Sequence, residues 1–214
     1  MKIAILSESE ADQAAVHILV NALLGRTTEL YDRPFRGRGW PAVLLQIPRV
    51  LNELHYNATD VDGLAIVADS DSDPPHRRQH VDPGPADPGC RYCQIWQAVE
   101  VARSRLKNTG RPAIRIAVGL AMPCIEAWLR CGQDSTVTEA AWLVALQEDR
   151  FPFDNLRLKA AVYGSERVSL AVETRRMVEE ATRLASDVVV LEKWFPNGFG
   201  PFAADIRSWL SNNE

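Results

Sequence analysis

The sequence lacks several features that would define common classes of protein. Its apolar runs fall well short of the roughly 20 residues that span a membrane. The opening MKIAIL is followed at once by the acidic SESEAD, so we expect no signal peptide. No glycine-rich phosphate loop is present, which argues against an ATPase, and no His-Ser or Cys-His arrangement indicates a nucleophile. Together these absences predict a cytoplasmic protein that does not associate with membranes.

The chain also has few cysteines and a small net charge. Four cysteines in 214 residues favour free thiols or a metal site over a disulfide framework. A net charge of −4 argues against nonspecific coating of nucleic acid, but it does not exclude a local basic groove. The length and the 46% hydrophobic content fit one α/β domain with a full core.

One stretch joins an apolar run to a cluster of acids. The run 64–68 (LAIVA) predicts a strand buried on both faces, and Asp69, Asp71 and Asp73 follow it. The carboxyl ends of such strands are where open α/β sheets place ligands. Two carboxylates about 4 Å apart repel by roughly 4 kcal/mol at an effective dielectric near 20, so the cluster favours a bound Mg²⁺, Mn²⁺ or Ca²⁺. The alternative interpretation is a solvated Asp/Ser turn.

A second acidic turn follows the first predicted strand, at 2–6. Ser9 is a plausible N-cap, and Asp12, three positions later, completes a capping box that begins a helix. Glu10 then complements the helix dipole. Glu8 precedes the helix, so we expect it at the same sheet edge as the acids after the central strand.

A third acidic position follows the apolar strand predicted at 113–120. Pro123 is expected to begin a helix there, which puts Glu126 in the first turn. The carboxylate of Glu126 either complements the helix dipole or adds a metal ligand from a neighbouring strand end.

Basic residues concentrate in the loop 32–40 (DRPFRGRGW). Arginine and glycine with aromatic residues suit a phosphate backbone and stacked bases. The candidate nucleic-acid contacts are Arg33, Arg36, Arg38 and, from a later helix, Lys159. The alternative is a set of solvated surface charges.

A proline-rich segment carries a second candidate metal site. His76 and His80 precede Cys90 and Cys93, a spacing that resembles zinc ligands with the pairs in reversed order. A structural Zn²⁺ would hold a long insertion that has little else to stabilise it. Otherwise the histidines are solvated and the cysteines simply precede the helix predicted at 94–107.

The last third of the chain has mainly helical periodicity. The helices are predicted at 138–147, 156–162, 168–185 and about 202–210, while 188–191 fits either a strand or a helix.

The acidic motifs, in their order, resemble the Toprim domain, the metal-binding α/β fold of topoisomerases, primases and OLD-type nucleases. SESEAD resembles the V-E-G-x-[ST]-[DE] turn of that family, IVADSDSD resembles its strand and D-x-D, and IEAWLR is similar to the I-E-A-W-L-L motif of a small stand-alone Toprim-like family. That family is related to OLD-type nucleases and is often encoded beside ATPases. Ser9 departs from the usual glycine, and the proline-rich insertion departs from the general pattern.

The resemblance implies a Toprim/Rossmann-like, mostly parallel sheet flanked by helices over 1–132, with an insertion at 74–93. Residues 133–214 would form a helical extension packed on that core. The predicted metal ligands for Mg²⁺ or Mn²⁺ are Glu8, Asp12, Asp69, Asp71 and Asp73, and the implied catalytic residues are Glu8, Asp69, Asp71 and Glu126.

The implied activity is metal-dependent hydrolysis of DNA or RNA, in phage defence with a partner ATPase. A second hypothesis is a non-catalytic, metal-binding regulatory or sensor subunit of a larger complex. A third is a hydrolase or phosphotransferase of small molecules, for which no nucleotide-recognition signature is visible.

Overall fold

The fold is built on a parallel β-sheet. The computed structural model describes residues 1–73, 76, 87–148, 150 and 153–210. Its strands are β1 (Lys2–Ser7), β2 (Glu29–Leu30), β3 (Phe35–Arg36), β4 (Gly63–Asp69) and β5 (Arg115–Ala121). Over the described chain they run in the order β2-β1-β4-β5, with β3 pairing β1 beyond the end of β2, and every pair is parallel. The predicted α/β fold with a mostly parallel sheet is confirmed.

Helices cover both faces of this sheet. They are α1 (Glu10–Leu24), α2 (Trp40–Tyr56), α3 (Arg91–Ser104), α4 (Ile125–Leu129), α5 (Glu139–Glu148), α6 (Asn155–Tyr163), α7 (Leu170–Ala185), α8 (Val188–Trp194) and α9 (Gly200–Ser208). No helix in the described part of the chain is long and apolar enough to cross a membrane.

The side chains of β1 show why its sequence is apolar throughout. Ile3 and Ile5 point into the core that α1, α7 and α9 share, whereas Ala4 and Leu6 point into the core formed with α2 and α3. All four are almost completely buried. A strand covered on both faces has no polar side, so its sequence is a continuous apolar run instead of an alternating one.

The C-terminal helices complete one of these two cores. Met177 and Ala181 of α7 and Phe202 and Ile206 of α9 are fully buried in the same cluster as α1. Helices α7 and α9 therefore help to cover one face of the sheet.

The structure refines two local expectations. The loop 32–40 contains β3, because Phe35 and Arg36 pair with Leu6 and Ser7 of β1. Residues 188–191, which fitted either class, belong to helix α8.

The turn before α9 packs closely against β5. The Gly198 carbonyl accepts the backbone N–H of Leu120 at 3.1 Å, so this N–H of the edge strand β5 has a hydrogen-bond partner. A Cβ on Gly198 would lie far inside contact distance of the Leu120 carbonyl oxygen, whereas a Cβ on Gly200 would meet nothing within 4 Å.

We therefore expect Gly198→Ala to lower the free energy of unfolding by at least about 2 kcal/mol, because backbone must move to admit the methyl group. Gly200→Ala, at the start of α9, is the matched control and should be neutral or slightly stabilising. Urea unfolding of both variants checks this, and equal stabilities would contradict the packing of this turn.

Candidate functional site

Three strand ends bring acidic residues together at the carboxyl edge of the sheet. Glu8 directly follows β1, Asp69 ends β4, and Glu126 lies in α4 just after β5. Glu8 Oε1 accepts the backbone N–H of Asp69 at 3.2 Å. Asp69 Oδ1 in turn accepts the backbone N–H of Ile125 at 2.9 Å. Parallel register and these two hydrogen bonds thus place residues 8, 69 and 126 at one site, although they are far apart in sequence.

Asp12 reaches the same site from the first turn of α1. The predicted capping box is confirmed, since Asp12 N–H donates to Ser9 Oγ at 3.1 Å and Asp12 Oδ2 accepts Ser9 N–H at 2.8 Å. The hydrogen bond from Ser9 N–H holds the Asp12 carboxylate close enough to Glu126 and Glu8 to be repelled by their charges.

Glu126 is the most deeply placed of these acids, with 3% of its surface exposed. Its Oε1 accepts the Tyr163 hydroxyl at 2.7 Å and lies 4.0 Å from Lys159 Nζ. Its Oε2 is buried without a hydrogen bond to any described residue. The Cys124 thiol interacts with Glu126 but is a weak donor. A buried, under-satisfied carboxylate oxygen is costly, and a bound cation would satisfy it.

Burial and neighbouring carboxylates raise the pKa values of Glu8, Asp12 and Asp69. Burial is the largest cause for Glu8, Asp12 and Asp69, and the pKa of Asp12 rises from 3.8 to about 7. Although Asp12 retains partial solvent exposure, protein atoms crowd its carboxylate and Glu126 repels it. Neighbouring carboxylates, Glu8 foremost, also raise the pKa of Asp69. The cluster is therefore unfavourable when fully ionised and without a counter-ion.

Asp71 and Asp73 belong to a different set of contacts. Arg91, at the start of α3, is largely buried and donates to the Asp69 carbonyl oxygen at 2.6 Å and to Asp71 Oδ2 at 2.9 Å. Its Nε pairs with Asp73, and its guanidinium lies 5.0 Å from the centre of the Trp40 ring. Arg91 thus pairs with the outer two acids of the D-x-D-x-D stretch and offsets part of their charge, while Asp69 stays with Glu8 and Glu126.

Sequence reasoning missed both Arg91 and Tyr163 as members of this site. Arg91 stands between two cysteines, and Tyr163 ends a helix 37 residues beyond Glu126. The Cys90–Cys93 spacing drew attention to the cysteines and not to Arg91, and Tyr163 lies in no recognisable motif, so both roles follow only from tertiary contacts.

The donor set fits a hard divalent ion in its chemistry. Carboxylate oxygens are the ligands that Mg²⁺ and Mn²⁺ prefer. Within the described residues, however, the only group of three or more acidic, histidine or cysteine side chains with all candidate ligand atoms within 4.8 Å is His76, Cys90 and Cys93. An ion at the acidic site would therefore have to draw the carboxylates closer together.

The predicted nucleic-acid residues lie in two places. Arg33 pairs with Glu53 at 3.1 Å, Arg36 pairs with Glu10, and Arg38 is exposed. A groove of about 300 Å³ lies beside β3 and is lined by Arg33, Arg36 and Arg49, among others. It is separate from the acidic cluster, as is a cleft of about 240 Å³ at the opposite, amino-terminal end of β5.

Lys159 is the predicted basic residue that does reach the acidic site. Its side chain is 42% exposed, and its ammonium faces Glu126. Burial opposes its charge, but the nearby carboxylates, Glu126 foremost, outweigh this and raise its pKa. Lys159 therefore stays protonated beside the acids.

The predicted zinc ligands are partly brought together. His76, Cys90 and Cys93 are all buried at the start of α3. His76 Nδ1 lies 3.6 Å from Cys90 Sγ and 3.7 Å from Cys93 Sγ. Burial raises the pKa of the Cys90 thiol to about 12. The fourth predicted ligand, His80, lies outside the described residues.

Comparison with known proteins adds no relative. No family model, curated protein sequence or solved structure matches this chain. The functional argument therefore depends on the site itself.

Proposed function

We propose that this chain is a metal-dependent nuclease that hydrolyses phosphodiester bonds of DNA or RNA at the carboxyl edge of its sheet. The observation that carries the proposal is the convergence of Glu8, Asp12, Asp69 and Glu126 from three strand ends onto one site. Burial and mutual repulsion make this arrangement unfavourable when the acids are ionised and no cation is bound. The Toprim-like order of the motifs in the sequence points to the same chemistry.

Glu8, Asp69 and Glu126 would hold Mg²⁺ or Mn²⁺, with Asp12 placed to adjust the charge of the group. When bound, such an ion supplies Lewis-acid polarisation of a phosphate oxygen. The buried Oε2 of Glu126 accepts no hydrogen bond from a described residue, so it could serve as a metal ligand. Asp71 would act on the site indirectly, by holding Arg91 in place. The Arg91 guanidinium donates to Asp71 Oδ2 at 2.9 Å.

The basic residues around the acids suit a polyanionic substrate. Lys159 places a half-exposed ammonium beside Glu126, where a phosphate would approach. Arg36 of β3 pairs with Ser7 of β1, and Ser7 directly precedes Glu8. Attraction of phosphates by Lys159 and by the arginines of the groove beside β3 would help to position a phosphodiester at the acidic site.

The experiment is nicking of supercoiled plasmid and of single-stranded RNA by the purified full chain. We expect cleavage with Mn²⁺ or Mg²⁺ and loss of cleavage in chelator. The same reactions with an added ATPase subunit test the partner that the motif resemblance implies. Cleavage that continues unchanged in chelator would overturn the proposal. Manganese binding without cleavage, alone or with the ATPase, would favour the non-catalytic metal-binding subunit instead.

A further inference from the structure

A second metal site, separate from the acidic cluster, is formed by His76, Cys90 and Cys93. We propose that these three residues bind a structural Zn²⁺. The inference goes beyond the proposed nuclease and does not depend on it, since it uses different residues, different donor atoms and a different metal.

The distances within this cluster match a tetrahedral zinc site. Zn–S bonds of about 2.3 Å and Zn–N bonds of about 2.0–2.1 Å place each sulfur about 3.6 Å from the nitrogen. The two sulfur–nitrogen distances in the structure are 3.6 and 3.7 Å. All three candidate ligand atoms lie within 4.8 Å of one another. One small ion placed between the three atoms is therefore close to all of them.

The thiols of Cys90 and Cys93 also interact with each other, but hydrogen bonding leaves one of the two sulfur–nitrogen contacts unexplained. The imidazole Nδ1 has at most one lone pair, so it accepts a hydrogen bond from one thiol only. Yet both sulfurs lie at nearly the same distance from it. An ion between the three atoms satisfies both sulfurs and the nitrogen at once.

The chemistry of the ligands selects zinc over the ions of the acidic site. Thiolate and imidazole are ligands for Zn²⁺, whereas Mg²⁺ and Mn²⁺ prefer carboxylate oxygens. On binding, Cys90 and Cys93 each lose a proton to solvent and their two thiolates bond to the metal. The fourth position is then available to a further side chain or to water.

The position of the cluster indicates what the ion does. Cys90 is the N-cap of α3 and Cys93 lies in its first turn, with Arg91 between them. Arg91 is the residue that contacts the Asp69 carbonyl oxygen, Asp71 and Asp73. A zinc ion that fixes His76 to the start of α3 would hold Arg91 in place beside the acidic site, so its role is structural.

The test is zinc content of the full chain purified without added zinc and without chelator. We expect about one zinc per chain in the wild type, and a loss of more than tenfold in Cys90→Ala and Cys93→Ala. Cys131→Ala removes a buried thiol elsewhere in the core and is the matched control, which should keep its zinc. Asp69→Asn should also keep zinc, so failure of this inference is distinguishable from failure of the proposed nuclease.

Cobalt substitution of the wild type gives a second readout that does not depend on any variant folding. Co²⁺ should produce the intense thiolate-to-metal absorption and the visible bands of a tetrahedral site. If zinc-free wild-type protein gives no such spectrum after Co²⁺ is added, the proposal is overturned. So would full zinc content in Cys93→Ala, or a Cys90–Cys93 disulfide in the freshly purified, unreduced protein.

Discussion

Replacing Asp69 by asparagine is expected to lower metal-dependent nicking at least about 100-fold. Removing a partner that only orients a metal ligand typically costs 10–100-fold, so loss of a ligand should cost no less. Asparagine keeps the shape of the side chain and an oxygen that can accept the Ile125 N–H, which Asp69 Oδ1 accepts at 2.9 Å. The change therefore removes charge while the local hydrogen bond remains available.

The design of this experiment separates loss of metal from loss of fold. Glu100→Gln alters an exposed carboxylate on α3 and should leave nicking unchanged. Thermal unfolding should show Asp69→Asn to be at least as stable as the wild type without metal, and to lose the stabilisation that Mn²⁺ gives the wild type. Wild-type nicking rates in a folded Asp69→Asn protein would count decisively against the proposed active site.

Asp12→Asn is expected to stabilise the metal-free protein at pH 8, and the gain should disappear toward pH 4. The pKa of Asp12 rises from 3.8 to about 7 in the folded chain because of burial and the repulsion of Glu126 and Glu8. Between these two values the folded state binds more protons than the unfolded state, so stability falls as pH rises. Above pH 7 the full penalty is present, and below pH 4 it is absent.

The size of this gain has an upper limit of about 4 kcal/mol, from about three pKa units at roughly 1.4 kcal/mol each. Partial exposure of Asp12 screens its charge and reduces that figure. Asparagine can still accept the Ser9 N–H, so the capping box survives. Urea unfolding in chelator from pH 4 to pH 8 measures the difference between variant and wild type.

Glu10→Gln is the control for this pH dependence. Glu10 lies in the same first turn of α1 but is exposed. Glu10→Gln removes an ion pair with Arg36 and a favourable charge at the helix N-terminus, so it should lower stability at pH 8 by up to about 1 kcal/mol, opposite in sign to the effect of Asp12→Asn. If Asp12→Asn shows no greater gain at pH 8 than at pH 4, or no more than Glu10→Gln, the acids are not crowded as described.

Much of the fold could be predicted because its signals are local. The runs at 2–6, 64–68 and 113–120 are apolar since helices cover both faces of the sheet. The first two lie within β1 and β4, and the third overlaps β5, which begins two residues later than predicted, at Arg115. The capping box of Ser9 and Asp12 was readable because both partners lie within four residues. Parallel strands end at one edge, so the chain could be expected to gather Glu8, Asp69 and Glu126 there.

The remainder of the site depends on contacts between distant residues. Arg91 holds Asp71 across 20 positions, and Tyr163 meets Glu126 across 37. Neither pairing leaves a period or a spacing in the sequence. The same reason explains β3, whose two residues form a strand only because the end of β1 offers them a partner. The assignment of Asp73 to the metal by proximity in sequence stays a prediction, and its carboxylate is already paired with Arg91.

The most direct measurement is a crystal structure of the full chain grown with Mn²⁺, with data collected at the manganese absorption edge. The account predicts an anomalous peak coordinated by oxygens of Glu8, Asp69 and Glu126, with these side chains closer together than in the metal-free protein. Well-ordered crystals in Mn²⁺ with no peak at this edge of the sheet, or with the ion held only by residues elsewhere, would contradict it.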